Sequence, residues 1–299
     1  MTSPSSTHPS PGPALGVSWE GRPVALLEAV ADHVDVVEVV PDCLVGPDGN
    51  IATERLRELD RFAPRLDVTY HGIGLSIGSV EGWNEAYLGH LETLLAWRRP
   101  LWHSEHLGFT EVDGSFLGAM PCLPPTLEAL DLVVERVLTL QERYGLEFML
   151  EHVASPLDRP GDMSLATFLN TIASETGSRM LLDLHNLECD ADNGLLDLDV
   201  FFDELDWAAV GEIHVAGGVW QDGWHLDVHA GTVAESTGQL LRLALAEAEN
   251  VGLVVYEVLA SAVPRLGVDG VVAEVDRLRG VIDEAFLDRT ARPECGSRR

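Results

Sequence analysis

The feature that most limits what this chain can become is a regular alternation of short apolar runs with amphipathic helical stretches, unbroken by any linker. The runs are Val34–Pro41, Leu66–Gly72, Pro100–Leu107, Glu147–Val153, Arg179–His185, Val210–Val215 and Gly252–Leu259, preceded by Ala14–Trp19. Each is short, rich in branched residues and bounded by turn formers, as strands are. Between them, apolar residues recur three to four apart, as in Thr53–Phe62, Trp83–Trp97, Thr126–Tyr144 and Ser164–Thr176. Thr126 and Ser164 stand where N-caps belong, and Gly145 and Gly177 stand just past the helix ends.

Strand–helix alternation implies parallel pairing. Eight units over about 280 residues match a closed (β/α)8, or TIM, barrel. The rival is an open doubly wound sheet. It usually has fewer strands and a Gly-x-Gly-x-x-Gly turn, which does not follow the first run here. The expectation is therefore an α/β chain with one barrel domain over residues 14–289. A disordered leader is expected at 1–13 and a disordered tail at 290–299. The leader is rich in Ser, Pro and Thr and lacks the basic and apolar segments of a signal peptide.

Composition narrows the function. A formal charge of −30 disfavours a nucleic-acid partner, because gripping a phosphate backbone needs clustered Lys and Arg. No uncharged apolar run approaches the roughly 18 residues of a membrane span, so no membrane partner is expected. The cysteines Cys43, Cys122, Cys189 and Cys295 are scattered, with no Cys-x-x-Cys pair. That is no disulfide framework, and a cytoplasmic location is the expectation.

The ionisable residues of the apolar runs gather towards their C-terminal ends. Glu38, His71, Glu105, His106, Glu151, His152, Asp183, His185, Glu212, His214 and Glu257 belong to successive runs, and Asp227 and His229 to the loop after the seventh. In a barrel these ends form one rim, where active sites are assembled. Burying so many ionisable groups unpaired would cost several kcal/mol each, and a multivalent cation offsets that cost. Imidazoles with carboxylates suit iron, manganese or zinc. Their number exceeds the ligand set of one catalytic zinc and points to two or three ions.

A single histidine in an apolar strand is usually a satisfied core residue; recurrence at equivalent strand ends makes the ligand reading for His71, His106, His214 and His229. Glu151, Asp183, Asp227 and Glu257 gain in the same way. Glu38, Glu105 and Glu212 could instead orient the imidazoles. Alternation restricts the neighbours: Glu105 and His106 point to opposite faces, as do Glu151 and His152, and the inward members are expected to be His106 and Glu151.

The ordered set His71-Gly-Ile-Gly-Leu-Ser-Ile-Gly-Ser79, Ser104-Glu-His-Leu107, Leu150-Glu151, Leu181-Leu-Asp183, Gly211-Glu-Ile-His-Val-Ala-Gly217, Asp227-Val-His229 and Tyr256-Glu257 resembles the multinuclear non-heme iron-dependent oxidases. This TIM-barrel family, formerly of unknown function, includes the methanobactin-forming and thiaglutamate-forming oxidases. The resemblance runs from about Gly16 to Leu259 and implies iron ligands at His71, His106, Glu151, Asp183, His214, Asp227, His229 and Glu257. His185 or Asn186 is a further candidate, with His152 a metal or supporting group. It implies two or three irons of mixed Fe(II)/Fe(III) state, dioxygen as co-substrate, a Cys-containing precursor peptide as substrate, and a small leader-binding partner protein. The chain departs from the family where His152 replaces the usual Asn, where His185-Asn186 replaces Asn-Asn, and where Gly218 replaces a second His.

No residue is singled out as a general base; the metal cluster itself is the expected catalytic group. The alternatives are a redox-neutral divalent-metal barrel enzyme of sugar isomerase or phosphodiesterase type, and a non-catalytic, metal-stabilised peptide-binding module.

Overall fold

The computed structural model describes residues 12–291. Eight parallel strands close into a barrel in sequence order: β1 (Ala14–Trp19), β2 (Val36–Val39), β3 (Asp67–Gly72), β4 (His103–His106), β5 (Phe148–Glu151), β6 (Arg179–Asp183), β7 (Val210–Val215) and β8 (Leu253–Tyr256). Helices follow the strands and cover the outside, giving the expected α/β barrel. Thr126 and Ser164 do cap their helices, accepting from the backbone N–H of Ala129 and Thr167, and Gly145 and Gly177 take the left-handed conformation at the ends.

Two apolar layers are built from alternate residues of each strand. One fills the space between strands and helices; the other, made of Ala14, Val36, Trp102, Met149, Leu181, Leu253 and Val255, plugs the barrel's lower interior. Above that plug the interior turns polar. The pairs His71 with Ser104, His106 with Glu151, and Asp183 with His214 are in register across neighbouring strands, so their side chains share the inner face.

One irregularity decides which residues of β7 face inward. Met180 pairs with Val210, but Leu181 pairs with Glu212, leaving Gly211 as an extra residue. The slip moves Glu212 and His214 to the side of the inward-facing Leu181. Glycine suits the spot, since a Cβ there would lie 2.8 Å from the Arg179 Nε.

Two expectations are corrected. The sixth strand does not run on to His185: it stops at Asp183, whose side chain caps a helix over Leu184–Asp192. His185 and Asn186 are therefore helical. The apolar run Met180–Leu184 reads as one strand in sequence, and the cap is what breaks it. The final helix spans Val268–Ala291, so positions 290 and 291, expected in the tail, are helical. Short ribbons, Glu111–Val112 with Ser115–Phe116 and Val219–Gln221 with Trp224–Leu226, also went unforeseen. The leader residues 1–11 and tail residues 292–299 lie outside the described residues.

Candidate metal centre

At the C-terminal mouth of the barrel, imidazoles and carboxylates from five strands and from the segments after β7 and β8 converge. His71 ends β3 and His106 ends β4. His71 Nδ1 is engaged by Ser104 Oγ at 2.9 Å, and His106 Nδ1 by the Gly72 carbonyl at 2.8 Å. Both Nε2 atoms are thereby aimed at Glu151 Oε2, at 3.1 and 3.3 Å respectively. A metal-binding imidazole is typically held in this way through its other nitrogen.

Glu151, Asp183, His214 and Glu257 each offer one atom within 4.8 Å of the others, as do His71, Glu151 and His214. Glu257 follows β8 and lies 3.2 Å from His214 Nδ1 and 3.6 Å from His229 Nε2. His229 Nε2 is 2.7 Å from Asp227 Oδ1. The other nitrogen of His214 points down the barrel to Glu38 Oε2 at 3.3 Å and Glu212 Oε1 at 3.7 Å.

The donors fit a cation. Glu151 Oε2, Asp183 Oδ2, both His214 nitrogens, Asp227 Oδ1, His229 Nε2 and Glu257 Oε2 are buried without a well-formed hydrogen bond, and several of them face only one another, at the close approaches just given. Orphaned buried polar atoms are rare, and so many converging on one place call for a ligand.

The electrostatics agree. Burial pulls the His71 imidazole down, but Glu38 and Glu151 outweigh it and lift its pKa to about 9. For His214, burial is overcome by Glu38 and Glu257, and for His229 by Glu257 and Asp227; both are raised well above the usual imidazole range. Burial opposes ionisation of Glu151, yet His106 and His71 hold its pKa down to about 2. Asp183 goes the other way, pushed well above the carboxylate range by burial and by Glu151, Glu257 and Asp227. Without a cation, this group of acids and imidazoles holds its charge in frustrated form.

Comparison with known proteins decides the family. The model of a family described as RiPP precursor modification enzyme MbnB/TglH/ChrH, acting on ribosomally synthesised and post-translationally modified peptides, matches residues 14–282. This chain belongs to the MbnB/TglH/ChrH family. A UPF0276 protein of Anaeromyxobacter sp. (strain Fw109-5) is 32% identical over 226 residues, covering 75% of this chain and 78% of the relative. A UPF0276 protein of Vibrio vulnificus (strain YJ016) is 31% identical over 196 residues, covering 64% of this chain and 67% of the relative. Among solved structures, an L-ribulose 3-epimerase superposes with a TM-score of 0.57 at 14% identity, covering 94% of this chain and 99% of that one. Endonuclease IV from Thermus thermophilus gives 0.50 at 17% identity, covering 92% and 99%. At those identities the likeness is one of fold.

The positions where this MbnB/TglH/ChrH chain departs from the expected pattern do different things. His152 does not join the centre. It turns towards Phe201, with ring centroids 6.4 Å apart, and burial pulls its pKa down to about 4. Asn186 Nδ2 donates to Glu151 Oε1 at 3.0 Å, holding that carboxylate in place. His185 Nε2 lies at the edge of the group, 3.9 Å from Asp227 Oδ1.

Glu105 is corrected from a possible ligand. It faces outward from the barrel, where it accepts from the Tyr87 hydroxyl and pairs with His103 Nε2 at 2.9 Å. Glu38 and Glu212 lie beneath the centre, with Glu212 Oε2 accepting from Trp102 Nε1 at 2.7 Å. Trp220 and Trp224, on the ribbon after β7, are 61% and 42% exposed, and Trp220 stacks on His225. Sequence reading missed Ser104, Trp102 and Cys189. The first is signalled by its register opposite His71; the last is visible only once the Leu184–Asp192 helix is known.

Proposed function

We propose that this chain is a non-heme iron-dependent, dioxygen-using oxidase that modifies a cysteine of a ribosomally synthesised precursor peptide. The observation that carries the reading is the set of orphaned imidazole and carboxylate atoms at the barrel mouth. The central set is nitrogen and oxygen only, a donor mixture suited to iron and other borderline metals. His71, His106, Glu151, Asp183, His214, Asp227, His229 and Glu257 would hold two or three irons. Bound iron would supply the redox chemistry, reducing dioxygen and accepting the substrate's thiolate as a ligand.

The chain's own residues do the positioning. Ser104 and the Gly72 carbonyl lock the two imidazoles, Asn186 locks Glu151, and the apolar plug closes the lower end to water. On the same face, the loops after β4 and β5 enclose an apolar trough of about 370 Å³, lined by Met120, Pro121, Pro124, Pro156 and Leu157 among others. It offers a peptide an apolar rest beside the mouth, with a small partner protein presenting the leader.

Anaerobic reconstitution with ferrous iron, Mössbauer spectroscopy and dioxygen uptake with a Cys-containing precursor test the reading. Iron-dependent uptake coupled to peptide modification is the expected result. Full turnover without iron would sink it. Turnover with no dioxygen consumed would move the chain to the redox-neutral isomerase or phosphodiesterase class.

A further inference from the structure

Beside the rim centre lies a second group of ligating side chains that the proposed oxidation does not use. The Leu184–Asp192 helix places His185 and Cys189 four residues apart on one face, with Cys189 Sγ 3.5 Å from His185 Nε2. The ribbon strand Trp224–Leu226 lays His225 against them, its ring centroid 5.1 Å from that of His185. One ligand atom from each of the three lies within 4.8 Å of the others, and all three residues are buried.

The surroundings are organised as they are around bound metals. Asp192 Oδ2 engages the far nitrogen of His225, Nδ1, at 2.8 Å, and Glu188 Oε2 faces that of His185, Nδ1, at 3.8 Å, beyond hydrogen-bond reach. That arrangement leaves both Nε2 atoms for a ligand. Glu188 is itself fixed by the Thr237 hydroxyl. Asn193 clamps the His225 backbone from both sides, through two hydrogen bonds of 2.9 Å. Trp220 stacks on the His225 ring with an interplanar angle of 9°, shielding it. The room for His185 exists because residue 218 is glycine: a Cβ there would stand 2.4 Å from His185 Nε2.

We propose that His185, Cys189 and His225 bind one zinc-class divalent ion, at a site distinct from the rim centre and joined to it through Asp227. Two imidazoles and a thiolate are a zinc donor set, and Asp227 or a water completes the tetrahedron. Asp227 Oδ1 lies 3.9 Å from His185 Nε2 and 2.7 Å from His229 Nε2, so it touches both groups. The ion's work is positional. Residues 225 to 229 form one short stretch, and holding His225 holds the segment that delivers Asp227 and His229 to the rim.

The rim donors include no thiol, so a sulfur-specific signal isolates this site. Cobalt(II) titrated to saturation into metal-free, full-length protein should develop a near-ultraviolet thiolate-to-cobalt charge-transfer band whose amplitude corresponds to one thiolate ligand per chain. Zinc should abolish it. Cys189→Ser should remove it, His225→Ala should weaken cobalt binding by at least roughly 10–100-fold, no less than the loss of a ligand's supporting partner, and Cys43→Ser, Cys122→Ser and Cys295→Ser should leave it intact. No band, or a band that survives Cys189→Ser, overturns the proposal. Should Cys189→Ser fail to fold, X-ray absorption on zinc-saturated wild type decides: a sulfur shell at about 2.3 Å supports the site, and a shell of nitrogen and oxygen alone overturns it. The outcome is separable from the oxidase reading. Loss of iron-dependent dioxygen uptake with the band intact removes that reading alone, and the reverse removes this one alone.

Discussion

Asp183 carries two duties on two oxygens, and substitution can separate them. Its Oδ1 accepts the Asn186 N–H at 2.6 Å and so starts the Leu184–Asp192 helix, while Oδ2 is buried with no hydrogen-bond partner and faces the metal centre. Asp183→Asn keeps an oxygen for the cap, and Asn and Asp cap about equally well. Because burial and Glu151, Glu257 and Asp227 push the carboxyl towards its neutral form in the metal-free protein, the neutral amide is the closer substitute there. Metal-free Asp183→Asn should therefore unfold within a few tenths of a kcal/mol of wild type, whereas Asp183→Ala, lacking the cap, should lose about 1 kcal/mol. Metal content should follow the opposite grouping. Neither variant can offer an anionic ligand, so both should bind metal at least roughly 10–100-fold more weakly, a loss no smaller than that seen on removing a supporting partner of a ligand. Urea unfolding of the metal-free proteins and metal analysis after anaerobic reconstitution measure the two quantities. Wild-type metal content in Asp183→Asn would refute ligation, and equal stability of the Asn and Ala variants would refute the cap.

Other outcomes follow from the same geometry. At pH 7 the metal-free His71, with its pKa near 9, carries a proton that a metal must displace, and the upward shifts of His214 and His229 act in the same direction. Metal binding should therefore release protons and weaken as pH falls; calorimetric titration in buffers of different ionisation enthalpy reads this, and zero release refutes it. Glu105→Ala strands the Tyr87 hydroxyl and His103, and should cost about 3 kcal/mol of stability with metal content unchanged. A drop in metal content would place Glu105 at the centre after all. Gly218→Ala sets a Cβ 2.4 Å from both His185 Nε2 and the Leu226 carbonyl. It should destabilise the protein by about 1–3 kcal/mol and erase the cobalt–thiolate band; an unchanged band would mean that His185 is not held in that space.

The barrel was legible because its signal is repeated: eight apolar runs with helical patterns between them leave few topologies, and all eight form the barrel strands. The strand-end histidines and carboxylates were legible for the same reason, since parallel closure brings all C-terminal ends to one face. What escaped depends on single atoms. Nothing in Met180-Leu-Leu-Asp-Leu-His185 announces that the Asp183 carboxylate will take an N–H three residues on, and that one hydrogen bond converts a strand into a helix. With it, His185 leaves the strand's alternation and acquires Cys189 as a neighbour at helical spacing. Alternation separated Glu105 from His106, but it does not say that Tyr87 waits on the outer side to receive the carboxylate. The one-residue slip at Gly211 is equally silent in sequence, yet it turns Glu212 and His214 inward.

The acids below the centre show what this inward turn costs. Glu212 is fully buried, and burial with Glu38 beside it raises its pKa from 4.5 to about 7. The sign follows directly. In the unfolded chain the carboxyl ionises near 4.5, whereas in the metal-free fold it resists ionising until about 7, so stability falls as pH rises between those values and stays low above them. The gap amounts to about 3 kcal/mol. Glu212→Gln keeps an oxygen for Trp102 Nε1 and removes the charge that faces Glu38. The metal-free variant should thus be more stable than wild type by up to about 3 kcal/mol above pH 7, with the gain vanishing towards pH 4. A gain independent of pH would trace it to packing rather than charge. With metal bound the gain should shrink, because a divalent cation held by His214 sets more positive charge above the buried carboxylates than the single proton it displaces. A full gain in the metal-loaded protein would disconnect these acids from the centre above them.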